Sequence, residues 1–186
     1  MEWDDYKKDV KKALDMFDFD KQILEVLENS VKKNQKIFIA GNGGSASTAN
    51  HYSVDFSKGT VKDLENNPNR MKAISLSSNM AYITAIANDL EYKEIFKQQL
   101  TNLASKKDIG IFISASGNSP NIVTAAEYAK KLEMIVIGIT GFEGGKLKKI
   151  ADYSAHINFP SYEISEDIHS IFGHFLTIYL KEKLNS

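Results

Sequence analysis

Cysteine is absent from the 186-residue chain. That excludes disulfides, thiolate metal ligands and a thiol nucleophile, and it fits a reducing compartment. Excess charge is missing too: 23 Lys plus Arg stand against 24 Asp plus Glu. With no general pull toward nucleic acid or acidic membranes, any anion must be bound locally. No apolar run approaches membrane-spanning length, and Met1–Tyr6 opens acidic and amphipathic where a signal peptide opens basic and then apolar. Internal repeats, low-complexity tracts and interdomain linkers are also lacking. What is present is ordinary globular usage, 42% hydrophobic and 25% charged, in a length that closes one good core. The expectation is a single domain over residues 1–186, in the cytoplasm, with no nucleic-acid or membrane partner.

Two helical patterns lead the chain within residues 5–34, carried by Tyr6, Val10, Leu14 and Phe17 and then by Ile23, Leu24, Leu27 and Val31. The period then changes. Short β-rich runs follow at Lys36–Ala40, Lys72–Leu76, Asp108–Ile113, Met134–Ile139 and Tyr153–Phe159, mostly separated by helical stretches. Strands alternating with helices predict a parallel sheet covered on both faces, an α/β sandwich of three layers. A long final helix is expected from about Glu163 to Lys183, with an apolar flank long enough for a subunit contact as well as a core contact. Ser57–Arg70, polar and carrying Gly59 and Pro68, reads as a loop near the site.

Glycine and serine cluster after two of the predicted strands. Gly41-Asn42-Gly43-Gly44-Ser45-Ala46-Ser47 lies between a buried strand and a helix, where glycine lets the backbone approach an anion and the helix start favours negative charge. Considered by itself, such a stretch is more often a tight turn. Gly41-x-Gly43-x-x-Ala46 also fits the looser dinucleotide fingerprint, but its acidic partner should end the second strand about 20 positions on. Asp63 and Glu65 stand at that distance in the polar loop instead, so no nucleotide cofactor is expected. The Lys-Ser/Thr pair of a triphosphate loop is missing as well, and a monophosphate fits better. Ser114-Ala115-Ser116-Gly117-Asn118-Ser119-Pro120 repeats the arrangement, with Ser119 as N-cap and Pro120 at the first helical position. Loops at the carboxyl ends of neighbouring parallel strands converge on one crevice, so Ser45, Ser114, Ser116 and Ser119 can ring one phosphate. For the third glycine-rich stretch, Ile139–Gly145, plain turn chemistry is the simpler explanation.

Histidine concentrates beside these loops. His51 and Asp55 are four residues apart on one helix face. On the last helix Asp167 is nearly eclipsed with His174 and Glu166 lies about 80° away, so periodicity does not choose between the two carboxylates. Aldose–ketose isomerisation needs a base to move a proton between adjacent carbons and an acid to move one between their oxygens, roles that suit a carboxylate and a histidine. A divalent metal could hold the same oxygens. A solvated ion pair is the commoner meaning of such spacings, and it is the phosphate loops that tip the balance.

The set Gly41-Asn42-Gly43-Gly44-Ser45, His51-x-x-x-Asp55, Asn88-Asp89, Ser114-x-Ser116-Gly117-Asn118-Ser119, Thr140-Gly141-x-x-Gly144-Gly145 and Glu166-x-x-His169-x-x-x-x-His174 resembles the phosphoheptose isomerases of the sugar isomerase (SIS) superfamily, in order over nearly the whole chain. The resemblance implies a flavodoxin-like or Rossmann-like three-layer fold with a five-stranded parallel sheet. It implies a homotetramer with active sites at subunit interfaces, in which the helices of residues 1–34 take part in packing. The implied activity interconverts sedoheptulose 7-phosphate and D-glycero-D-manno-heptose 7-phosphate, for lipopolysaccharide or capsule precursors. Alternatives are a non-catalytic SIS module that binds a sugar phosphate or a protein, as the initiator-associating type does, and an isomerase of another ketose phosphate. By the same resemblance Asp55 is the base and His174 the acid. Asn42, Gly43, Gly44, Ser45, Ser114, Ala115, Ser116 and Ser119 hold the phosphate, while Asp89, Glu163 and Glu166 contact the substrate. Zinc or another divalent ion is expected at His51, Asp55, Glu166 and His174. Three positions depart from the family: Asp55 where it has glutamate, Glu166 where it usually has glutamine, and Ala115 where threonine is common. Two carboxylates with two imidazoles make a stronger metal set, so greater metal dependence than in the typical member is expected.

Overall fold

A computed structural model describes residues 1–67 and 69–185; Pro68, part of the polar loop above, lies outside the described residues. In chain order the elements are α1 (Trp3–Met16), β1 (Asp18–Phe19), α2 (Gln22–Lys32), β2 (Lys36–Ala40), α3 (Gly44–Val54), β3 (Lys72–Ser75), α4 (Met80–Asp89), α5 (Lys97–Leu103), β4 (Ile109–Ser114), α6 (Pro120–Lys131), β5 (Ile135–Thr140), α7 (Gly145–Ile150), β6 (Tyr153–His156) and α8 (Tyr162–Lys183). The strands form one sheet in the order β1-β6-β5-β4-β2-β3. All neighbours run parallel except β1 against β6. No helix among the described residues is long and apolar enough to cross a membrane.

Strand alternation sorts the core into two layers. Ile37, Ile39, Ile109, Ile111, Ile113, Ile137 and Ile139 face one side, where Leu27 of α2, Ala49 and Tyr52 of α3 and Phe172 and Leu176 of α8 cover them. Phe38, Ala40, Phe112 and Val136 face the other, under Leu100 of α5, Ile122 and Ala126 of α6 and Leu147 of α7. A smaller cluster of Ala13, Ile157, Phe159, Ile164 and Ile168 fastens α1 to α8. From β2 the chain winds outward to β3, then returns to β4 on the other side of β2 and continues to β5 and β6. The reversal lies between β2 and β4, and a doubly wound sheet opens its crevice beyond the carboxyl ends of such strands.

The parallel part has the expected five strands, and a sixth is added. Asp18 and Phe19 pair with His156 and Ala155, and Asp20 closes the join by accepting from the Ser154 N–H at 2.6 Å. Two residues are too few to show alternation, yet they cap an edge that would otherwise leave backbone groups unpaired. The run expected to reach Phe159 stops at His156, because Ile157 and Phe159 turn to the α1–α8 cluster. The expected loop at Ser57–Arg70 begins as helix: Asp55–Gly59 is a π turn, closed by the Thr60 N–H on the Asp55 carbonyl at 3.0 Å.

Candidate functional site

The phosphate-type loop after β2 and the one after β4 line one cavity of about 250 Å³, bounded by Asn42, Gly43, Gly44, Ser45, Ser114, Ala115, Ser116, Ser119, Ile113, Tyr162 and Glu166. Gly43 precedes α3 at φ +54°, a conformation that a side chain would strain. The start of α3 favours negative charge there; the Ala46 and Ser47 amides already donate to the Gly43 carbonyl, and the Gly44–Ser45 backbone faces the cavity beside the Glu166 carboxylate. Across the cavity Ser119 holds the N-cap position of α6 with Pro120 after it, but its hydroxyl does not cap. It lies 3.1 Å from the Ser114 hydroxyl instead, so both remain at the cavity wall. Asn42 and Asn121 exchange two amide hydrogen bonds of 2.8 Å, which brace the two loops against each other. The third glycine-rich stretch lies apart from this cavity. Its Phe142 stacks obliquely on Tyr162 at 4.8 Å and lines a neighbouring space of about 470 Å³.

From the cradle, α3 and α8 run side by side and present polar residues to each other step by step. Ser45 meets Glu166; Thr48 meets Ser170, hydroxyl to hydroxyl at 3.4 Å; His51 meets His174, Nε2 to Nε2 at 3.4 Å; and Asp55 accepts from the Thr177 hydroxyl at 3.3 Å. Gly173 allows this closeness, since a Cβ there would overlap the ring of Tyr52 on α3. At the far end His51 Nε2 also lies 3.3 Å from Asp55 Oδ2, and donor atoms of His51, Asp55 and His174 are all within 4.8 Å of one another. The hollow they line measures about 10 Å³, room for one water or ion.

These donors fit a divalent ion. Two nitrogens each ~2.0–2.1 Å from a tetrahedral zinc stand about 3.3–3.4 Å apart, which matches the facing imidazoles at 3.4 Å. Two imidazoles and one carboxylate leave a fourth position free, the pattern of catalytic zinc centres. Thr177 on Asp55 supplies the outer support that orients such a ligand.

Glu166, expected among the metal donors, does not join them. It is eight residues from His174, about 12 Å along α8, and its carboxylate lies against Gly44, where a Cβ would overlap it, beside the Ser45 amide. Burial raises its pKa, the charges of Glu163 and Asp167 raise it further, and the Ser45 amide opposes them. Asp167 turns away to accept from the Tyr6 hydroxyl of α1, a bond that pushes the Tyr6 phenol up to about 12. Glu163 is exposed and accepts from the Ser161 hydroxyl at 2.9 Å. Asp89 ends α4 at the surface, 2.9 Å from the Asn88 amide, and lines neither cavity described above. Sequence reasoning missed Thr48, Ser170 and Thr177, which helical spacing from His51 and His174 reveals, and Asn121 and Tyr162, for which no pattern existed.

Against known proteins, the SIS domain family profile matches residues 10–141. The chain is 37% identical over 172 residues to the phosphoheptose isomerase of Helicobacter pylori strain P12, covering 92% of this chain and 88% of that one. It is 31% identical over 175 residues to phosphoheptose isomerase 1 of Campylobacter jejuni, covering 94% and 92%. Among solved structures, the phosphoheptose isomerase of Francisella tularensis superposes with a TM-score of 0.80 at 29% identity, over 87% of this chain and 84% of its own. That of Neisseria gonorrhoeae superposes at 0.79 and 27%, with the same coverage.

Proposed function

Since this chain belongs to the SIS domain family and, within it, to the phosphoheptose isomerases, we propose that it isomerises sedoheptulose 7-phosphate to D-glycero-D-manno-heptose 7-phosphate. The observation that carries the reading is the seam between α3 and α8, with an anion cradle at one end and two imidazoles and a carboxylate at the other. From Ser45 to His51 the helix rises about 9 Å, a span suited to an extended seven-carbon ketose phosphate anchored by its phosphate. Asp55 then acts as base and takes a proton from C1, while His174 protonates the carbonyl oxygen on C2, giving an enediol. Collapse reverses the roles: Asp55 returns its proton to C2, and His174 receives the proton leaving O1.

His51, Asp55 and His174 are the residues that would hold zinc or a similar ion. When bound, it supplies a positive charge that steadies the two sugar oxygens. The greater metal dependence expected from a second carboxylate loses its ground, because Glu166 stands at the cradle and only these three donors meet. The Asp89 carboxylate, which lines neither cavity within one chain, would be delivered to the seam by a neighbouring subunit of a homotetramer. One domain, helices of residues 1–34 that share in subunit packing, a cytoplasmic address and a role in lipopolysaccharide or capsule precursor synthesis complete the proposal.

The test incubates purified protein with sedoheptulose 7-phosphate, with and without zinc, and follows aldose formation by NMR. Aldose should appear and rise with zinc, and His174→Gln should abolish it. No aldose under either condition overturns the function; an unchanged rate in His174→Gln removes that residue from the mechanism.

A further inference from the structure

Glu166 carries a negative charge into a space built to receive one. Its carboxylate lies beside the Ser45 N–H at the start of the 11-residue helix α3 and fills the volume that Gly44 leaves by having no side chain. It lines the same cavity as Ser114, Ser116 and Ser119. It does so although Glu163 and Asp167 stand beside it with like charge. Asp167 is drawn off by Tyr6 on α1, whereas Glu166 turns to the amides, which is what an anion does when a helix start is the best partner within reach.

We propose that Glu166 is a resident occupant of the phosphate cradle which the substrate's phosphate must displace, making it the residue that sets affinity for phosphate. The inference rests on reading this cradle as the phosphate site. A carboxylate and a phosphate cannot share the same amides: each wants the Ser45 N–H, and like charges at that separation repel. Glu166 leaves by rotation of its own side chain, with α8 staying in place. A glutamine there keeps the shape that fits over Gly44, removes the charge and adds an N–H that can donate to phosphate oxygen. The glutamate therefore works as a threshold, admitting ligands whose charge outcompetes a carboxylate and turning away neutral sugars.

Calorimetric titration of the full chain with inorganic phosphate, in chelator so that no metal contributes, tests this. Glu166→Gln should bind phosphate roughly tenfold more tightly than the unaltered chain. Glu166→Asp, which keeps the charge but draws it back from Gly44 by one methylene, should fall between them. Asp167→Asn makes the same change in net charge on the adjacent residue and should shift affinity less than threefold. Phosphate binding that is equal or weaker in Glu166→Gln overturns the inference and leaves the cradle reading standing. Equal gains from Asp167→Asn and Glu166→Gln overturn it as well, since general charge would then explain the effect. No binding by any of the chains at millimolar phosphate removes the cradle reading and the inference together.

Discussion

His169 is wholly buried and neither ring nitrogen makes a well-formed hydrogen bond, so a proton added there has nothing to compensate its charge. Burial pulls its pKa down to about 4, helped by the charge of His156 and opposed by the nearby Thr140 carbonyl. An unfolded chain binds this proton near pH 6.5 and the folded chain not until about 4, so across that window the unfolded state holds more protons and stability falls as pH falls. The loss approaches roughly 3 kcal/mol at pH 4. Urea unfolding from pH 7 to 4 should show this steeper decline in the unaltered chain than in His169→Phe, which fills a similar volume and does not titrate; parallel profiles would sink the assignment. Other choices at this scale were only half legible in the sequence. Helical angle placed Asp167 nearer to His174 than Glu166, yet Asp167 went to Tyr6 and Glu166 to the cradle. An angle says which side of a helix a residue is on and is silent about which neighbour stands there.

Elements were legible where a pattern had room to repeat. Ile37 and Ile39 against Phe38 and Ala40 announce a strand buried on both faces, while β1 is two residues long and owes its pairing to the edge of β6. The π turn at Asp55–Gly59 was hidden because its wider bond leaves no mark on residue type. It nonetheless aims Asp55 at the seam, and such turns recur at functional sites. Gly173 is the element-scale constraint with a measurable consequence. Tyr52, next to His51 on α3, rests where a methyl on residue 173 would go, and its hydroxyl donates to the His169 carbonyl of α8. Gly173→Ala must push α3 away from α8, at a cost of about 1–3 kcal/mol for overpacking. A shift of about an ångström in His51 and Asp55 relative to His174 should cost on the order of a hundredfold in turnover. A lower thermal midpoint together with impaired kcat is the expected outcome; a variant as stable and as fast as the parent would show that helix spacing does not position the site.

For the molecule as a whole, the unburied surface raises the next question. Helix α4 buries none of its residues, although Met80, Ile83 and Ile86 recur through it at helical spacing. Ile83 and Ile86 lean on the core layer beneath α5 and α6, but Met80 remains 66% exposed and Leu90, just past the helix end, 55%. Exposed apolar side chains at the two ends of α4 offer a surface to a second partner, and Asp89 sits at the helix end. Self-association through α4 would cover that surface and carry Asp89 toward another subunit's seam, completing a site that one chain leaves without it. Light scattering should then give four times the 20.8 kDa chain mass. Met80→Glu should shift the mass toward a single chain and lower aldose formation by on the order of a hundredfold, while far-ultraviolet dichroism stays unchanged because the side chain is exposed in the monomer. A parent chain that is monomeric and fully active, or a Met80→Glu variant that keeps both mass and rate, would mean that α4 serves no subunit contact and that the seam is complete within one chain.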